Sequence, residues 1–158
     1  AVRFTMLTRK ADAQMDFDFA KVVEASRDNP VFYVQYAHAR IASLKRRLAD
    51  AAVAPAAPNT ARLDDYELGL VKLLAQFPRI VESAASAREP HRIAFFLGEV
   101  AAAFHAWWNM GNDRPDARII LVNDPELTAT RLYLADGIGQ VIRNGLHLMG
   151  VEALKEMN

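Results

Sequence analysis

Four side chains in the first third of this 158-residue chain have types and spacing that could do chemistry. Tyr33, Tyr36, Arg40 and Arg47 follow one another at intervals of 3, 4 and 7 residues. At about 100° per residue they fall within an arc of roughly 60° on a helix. Two phenol rings and two guanidinium groups on one flank suit a ligand with flat apolar faces and negative charge. Unpaired nucleobases stack on aromatic rings for roughly 1–3 kcal/mol each, and arginine meets a phosphate or a base edge with a planar fork of donors. The preceding loop, Ser26-Arg27-Asp28-Asn29-Pro30, could add polar groups. The same flank is equally that of a bundle helix with tyrosines packed between neighbours and arginines in water. Wheel geometry leaves both readings open. The run Lys45-Arg46-Arg47 is open in the same way, between a helix-dipole complement and a phosphate contact.

Other candidate chemistry is sparse. His38, His91, His105 and His147 form no pair three or four residues apart, so no metal site is expected. No glycine-rich phosphate loop and no nucleophile elbow occurs. No catalytic residue and no bound cofactor are therefore expected in this chain. Phe104, Trp107 and Trp108 read as core.

The elements that must position the flank are helical. Val34, Ala37, Ile41, Leu44 and Leu48 make one apolar stripe. Ile93, Leu97, Val100, Phe104 and Trp107 make another, and the segment after Asp124-Pro125 carries two stripes, which places it centrally. Asn29-Pro30 predicts a helix from residue 30 to about 52. Asp64 with Glu67 predicts a capping box, followed by a helix to about residue 88 kinked or broken near Pro78. The next helix opens at Glu89-Pro90 and is predicted to end at Gly111; the last runs from Asp124 to Gly150. A short helix is predicted over 16–28, a linker over 53–60, and a loop over 112–124. Gly137, Gly139 and Gly145 are expected to admit a close neighbour. The fold class is all-α, a bundle of about five helices.

Composition sets the outer limits. A hydrophobic fraction of 52% supplies a core for one domain. No run approaches the roughly 20 apolar residues needed to span a bilayer, and no secretory signal or cysteine is present; a cytoplasmic location is expected. Net charge is zero, which disfavours indiscriminate polyanion binding but allows a local basic face. Residues 1–50 hold 9 Lys+Arg against 6 Asp+Glu, a net of +3, so the first third is the better candidate.

The segment Asp28-Asn29-Pro30-Val31-Phe32-Tyr33-Val34-Gln35-Tyr36-Ala37-His38-Ala39-Arg40 closely resembles the opening of the anticodon-binding domain of bacterial-type arginyl-tRNA synthetases. Ala1 to Lys10 resembles the stretch after that family's second ATP-handling signature. Pro90-His91-Arg92 resembles its Pro-His-Arg helix opening, and Asn144 to Glu152, with Met157 beyond, resembles its C-terminal close. The likeness spans nearly the whole chain; residues 53–88 and 109–125 share only the general pattern. Of the Asp-Ala-Leu-Arg motif that names the domain family, Asp136-Gly137-Ile138-Gly139 keeps only the aspartate, and Ala129-Thr130-Arg131-Leu132 offers a nearby arginine.

The resemblance implies residues 1–15 as a tail of the catalytic or stem-contact region and residues 16–158 as a helical anticodon-binding domain of the class I synthetase type. It implies an arginine tRNA, held at its anticodon stem-loop, and the catalytic domain of the same enzyme as partners, and a monomer. It implies RNA contact at Tyr33, Tyr36, Arg40, Met157 and the loop that holds Asn29; Arg47 is expected to join them from its place on the same flank. It implies a parent arginine–tRNA ligase that uses ATP and magnesium. Neither His-x-Gly-His nor Lys-Met-Ser-Lys occurs here, so this chain alone is expected not to form the adenylate. The competing readings are the related helical domain of a cysteinyl or glycyl synthetase, and a stand-alone protein-interaction module with Trp107 and Trp108 as exposed anchors.

Overall fold

Capping residues decide where the long helices begin. The computed structural model describes residues 1–10, 18–24 and 29–157, with the backbone alone at Lys21. Its α-helices are α1 (Val2–Leu7), α2 (Phe19–Val23), α3 (Pro30–Asp50), α4 (Asp65–Leu74), α5 (Phe77–Ala87), α6 (His91–Asp113) and α7 (Pro125–Leu148). Five of them are long enough to build a bundle, as expected, and no strand occurs among the described residues. Asn29 caps α3 by accepting from the Val31 amide at 3.3 Å. Asp64 and Glu67 form the reciprocal capping box of α4 at 2.8 and 3.0 Å. Asp124 caps α7 through the Leu127 amide. Pro78 does not kink one helix: it sits in the first turn of a new one, α5. The expected helix over 16–28 shortens to α2; residues 16, 17 and 25–28, with most of the loop before α3, lie outside the described residues.

The helices α3, α6 and α7 pack on one another, α4 and α5 lie against α6, and α1 closes the end over α3 and α6. The predicted stripes meet in this core. Val34, Ala37, Leu97, Phe104, Ile138, Ile142 and Leu146 are all fully buried, and each large apolar side chain so buried contributes about 1.5–3 kcal/mol. Phe4 of α1 is sealed in the same core. Gly145 lets α7 approach α6, since a Cβ there would stand 2.6 Å from Leu97. A Cβ on Gly139 would stand 3.2 Å from Ile41 Cγ2, whereas one on Gly137 would make only ordinary contact.

One prediction fails instructively. Gly111 does not end its helix; α6 continues to Asp113. The glycine is spent on packing: a Cβ would stand 3.1 Å from the Arg118 Cα. The returning segment is a 3-10 turn (Pro115–Ala117) followed by irregular chain with Ile119 buried. It is tied down by the one deeply buried ion pair among the described residues. Arg131 donates to Glu67 Oε1 at 2.6 Å, and its Nη1 donates to the carbonyls of Asp116 and Arg118 at 2.8 and 2.7 Å. Burying two charges is costly unless every donor and acceptor is used; here Glu67 also completes the α4 cap.

Candidate nucleic-acid interface

Because Val34, Ala37, Ile41 and Leu44 face the core, the flank beside them is forced to the seam between α3 and α6. Tyr33 and Arg40 are half-buried there, Tyr36 is 37% exposed, and Arg47 is exposed. The structure brings these four predicted residues together and adds two from α6. His105 lies between the tyrosines, its ring centroid 4.6 Å from that of Tyr33 and 5.6 Å from that of Tyr36. Trp108 lies one helical turn further on. The Arg40 guanidinium carbon stands 4.4 Å from the centre of the Tyr36 ring and 5.1 Å from that of Trp108. The Arg47 guanidinium stands 5.2 Å from the same indole. The result is a continuous strip of three rings followed by cation, ring and cation: Tyr33, His105, Tyr36, Arg40, Trp108, Arg47.

The polar contacts set the proton on His105. Nε2 faces the Tyr33 carbonyl at 3.3 Å, so it carries the proton, and Nδ1 presents its lone pair to Arg40 Nη1 at 3.5 Å. Arg40 is thereby located by a histidine and two ring faces. Each such cation–ring contact is worth about 0.5–1 kcal/mol at an exposed site, enough to orient the group while leaving its N–H edges for a ligand.

Charge distinguishes the strip from the rest of α3. Lys45 pairs with Asp136 at 3.4 Å and Arg46 with Glu156 at 3.2 Å. Arg40 and Arg47 have no carboxylate partner among the described residues; they rest on aromatic faces. In a neutral protein this is a local concentration of positive charge beside stacking surfaces. No group of three or more His, Asp and Glu residues that could hold a metal ion occurs among the described residues. No helix among them is long and apolar enough to cross a membrane.

The two remaining predicted site residues stand apart from the strip. Asn29 is 6% exposed, and its amide is fully engaged: it caps α3 and donates to the carbonyls of Val22 and Glu24 at 2.8 and 3.1 Å. Met157 is half-buried at the end of a C-terminal strap. Gln35 donates to the Glu152 carbonyl at 2.8 Å, and His38 Nδ1 donates to the Leu154 carbonyl at 2.6 Å. These two anchors project from α3 about 100–160° round its axis from Tyr36 and Arg40. His38 Nε2 accepts from Arg143 at 3.2 Å. Burial holds the His38 pKa below the ordinary imidazole value, with Arg143 and Lys155 pushing the same way against the raising effect of the Leu154 carbonyl.

Sequence reasoning missed His105 and Trp108. Trp107 and Phe104 are core, at 2% and 0% exposure, but Trp108 is half-buried and open to the strip. A signal was available: His105 and Trp108 repeat on α6 the three-residue spacing of Tyr33 and Tyr36 on α3. The sealed Trp107 removes one of the two anchors that a protein-interaction module would have needed.

The chain is similar to known proteins over nearly its whole length. The family model described as DALR anticodon binding domain matches residues 34–157. The chain is 67% identical over 156 residues to an arginine–tRNA ligase of Novosphingobium aromaticivorans and 55% identical over 165 residues to one of Azorhizobium caulinodans. In each case 99% of the chain is covered, but only 27% and 28% of the relative. The chain thus spans about a quarter of the length of the curated relatives it matches, in their C-terminal region. The solved Thermus thermophilus arginyl-tRNA synthetase superposes with a TM-score of 0.81 at 32% identity, covering 99% of this chain and 26% of that one. A Campylobacter jejuni structure described as a putative arginyl-tRNA synthetase shares the fold, with a TM-score of 0.79 at 24% identity over 99% of this chain and 33% of that one.

Proposed function

We propose that this chain, which belongs to the DALR anticodon-binding domain family, grips the anticodon stem-loop of an arginine tRNA as the C-terminal domain of an arginine–tRNA ligase. The carrying observation is the strip on the α3–α6 seam, in which two guanidinium groups without a carboxylate partner rest on the Tyr36 and Trp108 rings, contacts that an incoming base and phosphate can replace. Such a surface favours a single strand over a duplex, because only unpaired bases offer faces for stacking.

In this reading the anticodon loop unstacks onto the seam. Tyr33 and Tyr36 receive splayed bases, and Arg40, already oriented by His105 and two rings, meets a base edge or phosphate. Arg47 takes backbone charge. Asn29 acts indirectly, by fixing the start of α3 and hence the rotation of the whole flank. Met157 meets RNA only where the loop wraps past the strap beside Arg46.

The parent enzyme, in the same reading, is a cytoplasmic monomer that joins arginine to its tRNA with ATP and magnesium. Both are handled by its catalytic domain, to which residues 1–15 are the joint, and residues 16–158 are the anticodon-binding unit. The domain helps to select arginine tRNAs and places the acceptor end in the distant active site. Arg40→Ala should weaken binding of an arginine anticodon stem-loop more than that of a stem-loop with an altered anticodon. Equal weakening of both would reduce Arg40 to a general phosphate contact, and no weakening of either would return the flank to a packing role.

A further inference from the structure

The strip does not stop at Arg47. Beyond Trp108 it opens into a cavity of about 270 Å³, floored by Leu44, Ile119 and Ile120 and rimmed by Arg47, Asn112 and Arg118. No carboxylate lines it. Small-molecule pockets usually run from about 300 Å³ upward, so this one suits a single planar heterocycle rather than a large cofactor.

Arg118 shows that the rim is built and not incidental. Its Nε donates to the Gly111 carbonyl at 3.1 Å, and its backbone carbonyl accepts from the buried Arg131, itself held by Glu67. The approach to α6 depends on the missing side chain of Gly111. With Nε occupied by the backbone, the two terminal nitrogens of Arg118 remain for the rim. Asn112 adds an amide that can meet a base edge, and the floor is apolar. Cation, amide and apolar slot are the three groups that a nucleotide engages with phosphate, base edge and base face.

We propose that this cavity takes one nucleotide of the bound RNA, its base inserted over the Ile119–Ile120 floor beside the Trp108 indole and its phosphate between Arg47 and Arg118. The inference rests on the RNA-binding reading above and adds to it a new contact residue, Arg118, and a place for a nucleotide next to those held at Tyr33, Tyr36 and Arg40. It also gives the Glu67–Arg131 pair a task beyond stability, since that pair holds the segment carrying the pocket's far wall.

The test uses the whole chain, an arginine anticodon stem-loop, and three variants. Arg118→Gln removes the charge, Ala51→Phe fills the cavity from its half-buried rim, and Arg40→Ala serves as the strip control. Dissociation constants are measured over a range of salt, with melting temperature to confirm folding. Arg118→Gln is expected to weaken binding about 5- to 10-fold and to lower the salt slope by about 0.7, the value for one phosphate on a single strand. Ala51→Phe should weaken binding with the salt slope unchanged. Abasic substitution along the loop should then reveal one position at which Ala51→Phe no longer matters, because the base it excludes is already gone. If both pocket variants fold and bind as wild type while Arg40→Ala weakens binding, the pocket is empty in the complex and this inference is wrong, with the strip intact. If the wild-type chain does not bind the stem-loop at all, the RNA-binding reading falls first and takes the pocket with it.

Discussion

The α3–α6 seam and the α4–α7 groove are both concave, yet they are made differently. The groove is the larger, about 550 Å³, and is walled by Leu63, Val71, Leu74 and Tyr133. Val71 and Tyr133 are exposed there. Both of its cations are engaged by neighbouring side chains: Lys45 is paired with Asp136, and Arg143 donates to His38 Nε2 and to Gln140 Oε1. The seam is smaller, and its cations Arg40 and Arg47 lie on rings instead of carboxylates. Volume and apolarity would select the groove. The disposition of charge selects the seam, because a guanidinium parked on an aromatic face can be recruited by a phosphate without first breaking an ion pair.

The largest expected effect strikes what the two faces share. Glu67 on α4 and Arg131 on α7 form the buried pair that also fixes the 116–118 segment behind the seam. Glu67→Ala leaves a buried guanidinium uncompensated and should cost about 3–5 kcal/mol of stability, read as a shifted midpoint in urea. A midpoint within experimental error of wild type would show that the pair contributes little.

The next effect separates the faces. Arg40→Ala should weaken stem-loop binding about 10- to 100-fold, the range for losing a charged contact of about 1.4–2.8 kcal/mol. Tyr133→Ser and Lys45→Ala, on the groove, should each change it less than about 2-fold. Comparable losses on both faces would erase the distinction drawn above.

How much of this contrast could be read from sequence depends on whether one helix or two had to be known. The flank of α3 was legible because spacing within a single helix settles which residues share a side, and because the cap at Asn29 sets where counting begins. The run Lys45-Arg46-Arg47 was not legible. Its three cations look alike in sequence, and only the positions of Asp136 on α7 and Glu156 on the strap decide that two are paired and one is not. His105 and Trp108 were hidden for the same reason: their partners lie about seventy residues away on another helix. Gly111 was misread because a glycine near a helix end usually marks the stop, whereas here it serves the close approach of Arg118.

The smallest effect concerns the strap. His38 is held neutral in the fold, between the Leu154 carbonyl and Arg143, with its pKa lowered chiefly by burial. As pH falls, the unfolded chain takes up the proton first. The stability supplied by this site is therefore complete above the unfolded imidazole pKa of about 6.5 and declines below it. His38→Gln should flatten the dependence of stability between about pH 7.5 and pH 5.5. An unchanged slope in the variant would assign the dependence to other groups.

RNA bound at the seam and RNA bound at the groove touch different aromatic side chains. Side-chain NMR signals of the whole chain, followed while an arginine anticodon stem-loop is titrated in, tell the two apart in one experiment. The expected result is that Tyr33, Tyr36, His105 and the Trp108 indole shift together and saturate with one stoichiometry, while Tyr133 stays still. Shifts gathered around Tyr133 and Val71, with the α3–α6 seam silent, would contradict it.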